Sequence, residues 1–287
     1  MSIKLIPLIQ QYRMSFNTAS IYFVKALLAV LFFIQTPNAA IAAEIAQNNS
    51  QSEIISQIKQ DDVVYLGENH DNVEQHRQEL EIITQLYQYK TDSKKLAIAL
   101  EMFQRPFQPI LDRYLEGKID EERLREQTEY ETRWGFDWEF YAPILRFAIA
   151  HQIPLIALNT PAEITTQVAE SGIDSLEGDD FRYIPPLADI RLDNREYRQR
   201  LDEIYRQHIE NGQGNSKDAD NFFAAQVLWD ETMADAIAQY YRDFPRSQIA
   251  VLVGKAHVMY DYAIPDCVAR RISDPDFSQT SLLLDEE

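Results

Sequence analysis

Val63-Val-Tyr-Leu-Gly-Glu-Asn-His70 runs four β-favouring residues into a glycine, a carboxylate, an amide and an imidazole. Three later apolar runs end in the same manner: Leu96-Ala-Ile-Ala-Leu100 on Glu101, Leu155-Ile-Ala-Leu158 on Asn159, and Ile249-Ala-Val-Leu-Val253 on Gly254-Lys-Ala-His257. Short continuous apolar runs separated by helical segments read as buried parallel strands. The fold class predicted is therefore α/β: a mainly parallel sheet flanked by helices, with the motifs at the carboxyl ends of the strands. Open sheets of this kind hold ligands outside those ends, so Glu68, His70, Glu101, Asn159 and His257 are expected around one cleft.

The strands sit in a chain of 287 residues. Residues 1–42 contain Lys4, Arg13 and Lys25 but no acid, then the apolar run Ala26–Ile34, Pro37 and the small residues around Ala40-Ile41-Ala42. That order reads as a secretory signal, and its apolar run is shorter than the roughly 20 residues a membrane span needs. Cleavage is expected after Ala42 or Ala43. Residues 43–59 read as a flexible arm and 60–287 as a single α/β domain, long enough for a sizeable core. Removal of the leader leaves 24 basic against 46 acidic residues, a charge near −22. Duplex nucleic acid, which demands the opposite sign, is thereby an improbable partner. Cys267 is the only cysteine, so the exported chain has no internal disulfide; it reads as a buried packing residue.

Asp71 and Glu74 resemble a capping box ahead of a helix whose Val73, His76, Leu80, Ile83 and Tyr87 recur at helical spacing. His76 falls on that apolar face, either as a hydrogen-bonded core histidine or as a support for His70. Trp134, Phe136, Trp138, Phe140 and Tyr141 crowd into eight residues as a core wedge or a roof over the cleft. Asn194–Asn211 reads as a strongly charged helix, with Tyr205 and His208 on one face. Ser216 or Asp218 can cap the longest helix, which stops before Pro245.

The constellation richest in chemistry pairs Gly67-Glu68-Asn69-His70 with Gly254-Lys255-Ala256-His257. Glycine permits a tight turn and close approach of a ligand to the backbone. Each imidazole can ligate a metal or exchange protons near neutral pH, and Glu68 and Glu101 add carboxylates. His70, His257, Glu68 and Glu101 can thus hold Zn²⁺ or Mn²⁺ with a position open to water. Without a metal, the same four residues are candidates for histidine-based acid–base catalysis.

These motifs also carry a family resemblance. With Leu100-Glu-Met-Phe-Gln104, Arg133-Trp-Gly135, Tyr141-Ala-Pro-Ile-Leu145, Ala157-Leu-Asn-Thr-Pro161, Gln226–Ala234 and Ala263-Ile-Pro265 followed by Ala269-Arg-Arg271, the chain resembles the ChaN-type haem-binding uptake proteins of the Tiki/TraB and erythromycin-esterase-like superfamily. The blocks span roughly residues 60–272. The resemblance implies an exported protein, periplasmic or membrane-associated, that binds haem and serves iron acquisition, working with an iron-uptake receptor. It also implies haem held at a homodimer interface with a tyrosinate as axial ligand. Two features depart from many relatives: the leader has no lipobox cysteine, and Lys255-Ala256 stands where a glycine-rich run is common. The superfamily also contains hydrolases built on the same paired motifs, including metal-dependent peptidases, so a hydrolase reading stands beside haem binding.

Haem needs an apolar slot, a donor for iron and groups that meet its propionates. The helix Asn194–Asn211 supplies candidates: Tyr205 as the iron ligand, His208 to orient its phenolate, Tyr197 in reserve, and Arg195, Arg198 and Arg206 for the propionates; it reads equally as an amphipathic surface helix with its tyrosines packed on the core and its arginines paired to Asp202 and Glu203. Tyr260 and Tyr262 are further reserves, and His70 and His257 are haem-ligand candidates on their chemistry.

Overall fold

The computed structural model of the chain describes residues 53–89, 94–210, 216–259 and 263–284. The expected leader, Tyr260, Tyr262 and the side chain of His208 lie outside the described residues. Five strands form one sheet: β1 (Val63–Glu68), β2 (Lys95–Gln104), β3 (Leu155–Asn159), β4 (Ser247–Gly254) and β5 (Gln279–Leu283). All run parallel, in the order β3-β2-β4-β1-β5.

β1 and β4 are buried along their whole length, because the sheet is covered on both faces. Their side chains divide by the two-residue period of a strand. Val64, Leu66, Ile98, Leu100, Ala250 and Leu252 enter one core, and Val63, Tyr65, Ala97, Ala99, Ile249 and Val251 the other. The first core is closed by α1 (Val73–Tyr89), α2 (Gln108–Leu115), α3 (Glu121–Gln127), α4 (Tyr130–Arg133) and α5 (Trp138–His151). α6 (Ala162–Ser171) follows β3, then α7 (Arg195–Glu210) and α8 (Ala219–Asp243); α9 (Ile264–Ala269) follows β4. α8 covers the second core together with α9, and on its amino-terminal half it anchors a third cluster with α6 and α7.

Local chemistry sets the helix starts. Asp218 caps α8 by accepting from the Asn221 N–H, and Asp120 and Asp137 cap α3 and α5 in the same way. At α1 the cap is Asn72, whose Oδ1 accepts from the N–H groups of Glu74 and Gln75 at 3.0 and 3.2 Å. It stands one residue after the Asp71 expected from the sequence.

Three further differences bear on the reading. Residues 53–58 are helical and bury Ile55 and Ile58, so the anticipated arm is ordered there. β5 was not anticipated; it pairs only with β1 at the sheet edge, and a half-buried edge strand shows no continuous apolar run. β2 continues past Leu100, but its pairing with β4 ends at that residue and its register with β3 shifts between Leu100 and Gln104. Glu101 therefore sits at the end of the central ladder although it lies within a strand.

The topology positions the chemistry. β4 enters between β1 and β2, so Glu68 and His70, Gly254 and His257, and Glu101 come from three adjacent strands.

Candidate functional site

Each Gly-x-x-His unit leaves its strand in a different local form. After β4, Lys255–His257 make one 3-10 turn that carries His257 back into the interior. After β1, Asn69 and His70 begin a turn that ends at Asn72. The two units pack on one another at Gly67. A Cβ at that position would lie 2.8 Å from Val258 Cγ2 and 3.3 Å from the Lys255 backbone. Crowding by the side chains of Val258 and Leu283 and by the Lys255 backbone leaves room only for glycine at 67.

Both imidazoles are buried and braced at Nδ1 by a carboxylate. His70 Nδ1 is 2.6 Å from Glu68 Oε1, and His257 Nδ1 is 2.5 Å from Asp230 Oδ1. Both turn Nε2 toward Glu101, at 3.9 Å for His70 and 3.5 Å for His257. Glu101 Oε2 accepts from the Gly254 N–H at 2.7 Å, while Glu101 Oε1 and both Nε2 atoms are buried without a hydrogen-bond partner. Asn159 donates through Nδ2 to the Glu101 main-chain oxygen at 2.9 Å and accepts from Trp229 Nε1. The structure thus brings together the residues singled out on all four strands.

Glu68 does not face the centre. It stands behind His70, and its Oε1 also accepts from the Tyr141 hydroxyl at 2.6 Å. Its Oε2 faces His76 Nδ1 at 3.1 Å, and Glu79 Oε2 approaches the same nitrogen at 3.0 Å. His76 Nε2 meets the His70 main-chain oxygen at 3.1 Å. Trp134 and Phe136 pack against the His70 ring at 4.7 and 4.9 Å. The aromatic cluster is therefore both wedge and wall: it encloses His70 and delivers one hydroxyl to Glu68.

The electrostatics follow from burial and pairing. Burial opposes charge on His257, but Asp230 and Glu101 outweigh it and raise the imidazole to about 9. For His76 the same opposition from burial is overcome by Glu68 and Glu79, and the value rises to about 10. Burial also works against charge on Glu68, yet hydrogen bonds from His70 and His76 hold it well below the usual carboxylate range. Burial and the neighbouring Glu68 charge push Glu79 far up, and burial raises Asp230 despite its partner His257.

Sequence reasoning missed Asp230 and Glu79, and it left the roles of His76 and Tyr141 undecided. Asp230 and Glu231 lie fully buried in the middle of α8; acids on the apolar face of a long helix were the available signal. Glu231 serves packing of charge, held by Arg270 and Arg271 at 2.6 Å each. Cys267 is buried as expected.

The haem-ligand candidates separate by location. Tyr197 points inward, and its hydroxyl donates to Asp230, so it braces the His257 side rather than facing solvent. His70 and His257 are each 2% exposed; a porphyrin reaches neither ring without displacing Trp134, Phe136 or Trp229, which pack on them. Tyr205 is half-buried on α7, its ring 5.4 Å from Phe222. Beside the start of α7, a groove of about 490 Å³ is lined by residues that include Leu192, Arg195, Arg198 and Asp202. Arg195 and Arg206 are exposed, whereas Arg198 pairs with Asp202 and Asp220.

A parallel α/β sheet whose strand ends turn two carboxylate-braced histidines toward a third carboxylate defines a class of fold and site. The chain belongs to the family described as haem-binding uptake, Tiki superfamily, ChaN, whose model matches residues 54–268. The fold is similar to that in a solved structure described as cofacial heme binding to ChaN of Campylobacter jejuni. That likeness has a TM-score of 0.63 at 20% identity and covers 82% of this chain and 86% of the other. The chain is also 29% identical over 238 residues to the chloroplastic protein RETICULATA-RELATED 5 of Arabidopsis thaliana. The match covers 78% of this chain but only 31% of that protein's length. Among the described residues, no helix is long and apolar enough to cross a membrane.

Proposed function

We propose that this chain is an exported haem-binding protein that takes up or hands on haem for iron acquisition. The observation that carries the reading is membership of the haem-binding uptake family over residues 54–268. The surface of α7 offers cationic groups for the ligand, although the adjoining groove is polar, with Leu192 the one apolar residue of its lining and Asp193 and Asp202 its acids. The adjoining groove has a volume typical of small-molecule sites. Arg195 lines it and matches propionate charge, beside an Arg198 already paired with Asp202 and Asp220, and Tyr205, on the same helix but outside the groove lining, offers a phenolate to ferric iron. When bound, haem would supply an iron centre. The chain's own contribution is to hold the propionates, present one oxygen donor and shield one porphyrin face. An open groove shields one face only, so a second copy of the chain is the natural cover, with haem at the interface of a homodimer. An iron-uptake receptor and a periplasmic location complete this reading.

Haemin titration of the parent, Tyr205→Phe and Arg195→Glu tests it. The phenylalanine variant keeps the ring and loses only the oxygen, so it should lose the charge-transfer band of tyrosinate ligation. The glutamate variant should bind more weakly while keeping the parent's spectrum. An unchanged band and affinity in Tyr205→Phe eliminates Tyr205.

A second reading is favoured by one specific arrangement, the two unpartnered Nε2 atoms on either side of Glu101. With Nδ1–H held by Glu68 and Asp230 and Nε2 deprotonated, both rings would turn a lone pair toward the carboxylate, as metal-ligating histidines require. His70, Glu101 and His257 would hold a divalent ion such as Zn²⁺ or Mn²⁺, with Glu68 behind His70. In a hydrolase the ion would activate water; without it, a histidine–carboxylate pair would act as general base. Hydrolytic turnover that disappears in His257→Ala would identify this activity.

A further inference from the structure

Behind His70 lies another group of donors, of which the second reading uses only Glu68, as the brace of His70. Among the described residues, Glu68, His76 and Glu79 place one ligand atom each within 4.8 Å of one another, and all three side chains are buried. The donors come from the last residue of β1 and from one face of α1, where the spacing of three aligns His76 with Glu79. α1 packs on β1 and β2, so the three positions belong to rigid elements.

Two independent features point to a ligand at their centre. The first is the tautomer of His76. Its Nε2 meets the main-chain oxygen of His70 at 3.1 Å, and a carbonyl oxygen only accepts, so Nε2 carries the hydrogen. Charged, the ring donates through Nδ1 to Glu79 Oε2 at 3.0 Å with Glu68 Oε2 at 3.1 Å; deprotonated, it aims that lone pair between the two carboxylates. A positive species, the Nδ1 proton or a metal ion that replaces it, must stand between them. Fixing one imidazole nitrogen on a backbone carbonyl is also how proteins orient metal-ligating histidines. The second feature is unused oxygen. Glu68 Oε2 and Glu79 Oε1 are both fully buried without a hydrogen-bond partner, although buried carboxylate oxygens are ordinarily satisfied. Glu68 Oε1 is already occupied by Tyr141 and His70. Protons on Nδ1 and on Glu79 balance the charge without a metal. A divalent cation replaces both.

We infer that Glu68, His76 and Glu79 form a buried site for a divalent transition cation, with one nitrogen and two carboxylate donors of the kind that suit Zn²⁺ or Mn²⁺. The site lies on the α1 side of His70, apart from the buried centre at Glu101. Through Glu68 the cation holds His70 in place, and through His76 it ties α1 to the turn after β1. It is a structural ion, enclosed by protein and loaded before or during folding.

The purified full-length chain, stripped with chelator under mild denaturation and refolded with Zn²⁺ alone, provides the test. His257→Ala removes a donor from the buried centre at Glu101 and leaves this site intact. After desalting, this variant should retain one zinc per chain, and the double variant His257→Ala/Glu79→Gln should retain none. Loss of all zinc from His257→Ala, or equal retention by the double variant, overturns the inference. If the double variant does not fold, His257→Ala refolded with Co²⁺ decides the matter by X-ray absorption. One imidazole nitrogen among oxygen donors is expected; two imidazoles in the shell, or no bound cobalt, refutes the site.

Discussion

Replacing Asp230 with Asn perturbs the His257 brace with little change in shape. In the parent, Asp230 Oδ1 lies 2.5 Å from His257 Nδ1, and its other oxygen accepts from the Tyr197 hydroxyl. Burial alone lowers the imidazole value; the charges of Asp230 and then Glu101 reverse that and hold it near 9. Asn keeps an oxygen for Tyr197 but removes the larger charge, so burial should bring His257 down from about 9 by roughly two pH units, the Glu101 charge holding the rest. At about 1.4 kcal/mol per pH unit, the lost stabilisation of the imidazolium is on the order of 3 kcal/mol, comparable to breaking other buried charge pairs. NMR titration of the His257 ring in metal-free protein measures the shift, and urea unfolding at pH 7 measures the energy. A His257 that still titrates near 9 in Asp230→Asn would refute the assignment of Asp230 as the dominant charge.

Gly67→Ala places a methyl 2.8 Å from Val258 Cγ2 and 3.3 Å from the Lys255 backbone, and should cost about 1–3 kcal/mol in urea unfolding; stability equal to the parent's would mean that the two Gly-x-x-His turns separate easily. His257 also sets a pH dependence. Its folded value lies above the usual 6.5, so its contribution to stability is complete below pH 6.5 and is lost as pH rises through about 9. Unfolding free energy of metal-free parent should therefore fall across that window, and His257→Gln should make the fall shallower, leaving the part that His76, raised to about 10, contributes. N-terminal sequencing of exported protein should begin at Ala43 or Glu44, whereas Met1 retained in a membrane fraction would indicate an anchored chain.

The four central strands were legible because burial on both faces makes each a continuous apolar run, as in Val63–Leu66 and Ile249–Val253. β5 escaped because it sits at the edge, where Gln279-Thr-Ser-Leu-Leu283 needs only one covered face. The site divides along the same line. His70, Glu101 and His257 are readable because they stand where apolar runs stop. Asp230, Glu79 and the Tyr141 hydroxyl reach the site from helices, and their contacts depend on how α8, α1 and α5 dock on the sheet. Helical spacing marked His76 and its apolar face but not the two glutamates that meet its Nδ1. The anticipated haem helix shows the converse. Its charge and periodicity were plain, yet only tertiary packing reveals that Tyr197 faces Asp230 while Tyr205 stays half-exposed.

Absorbance titration of the purified mature chain with haemin tests haem binding most directly. The account predicts a shifted Soret band that saturates at one haem per chain, with the charge-transfer absorption of an oxygen-ligated ferric iron. A spectrum that stays that of free haemin at every ratio would contradict it.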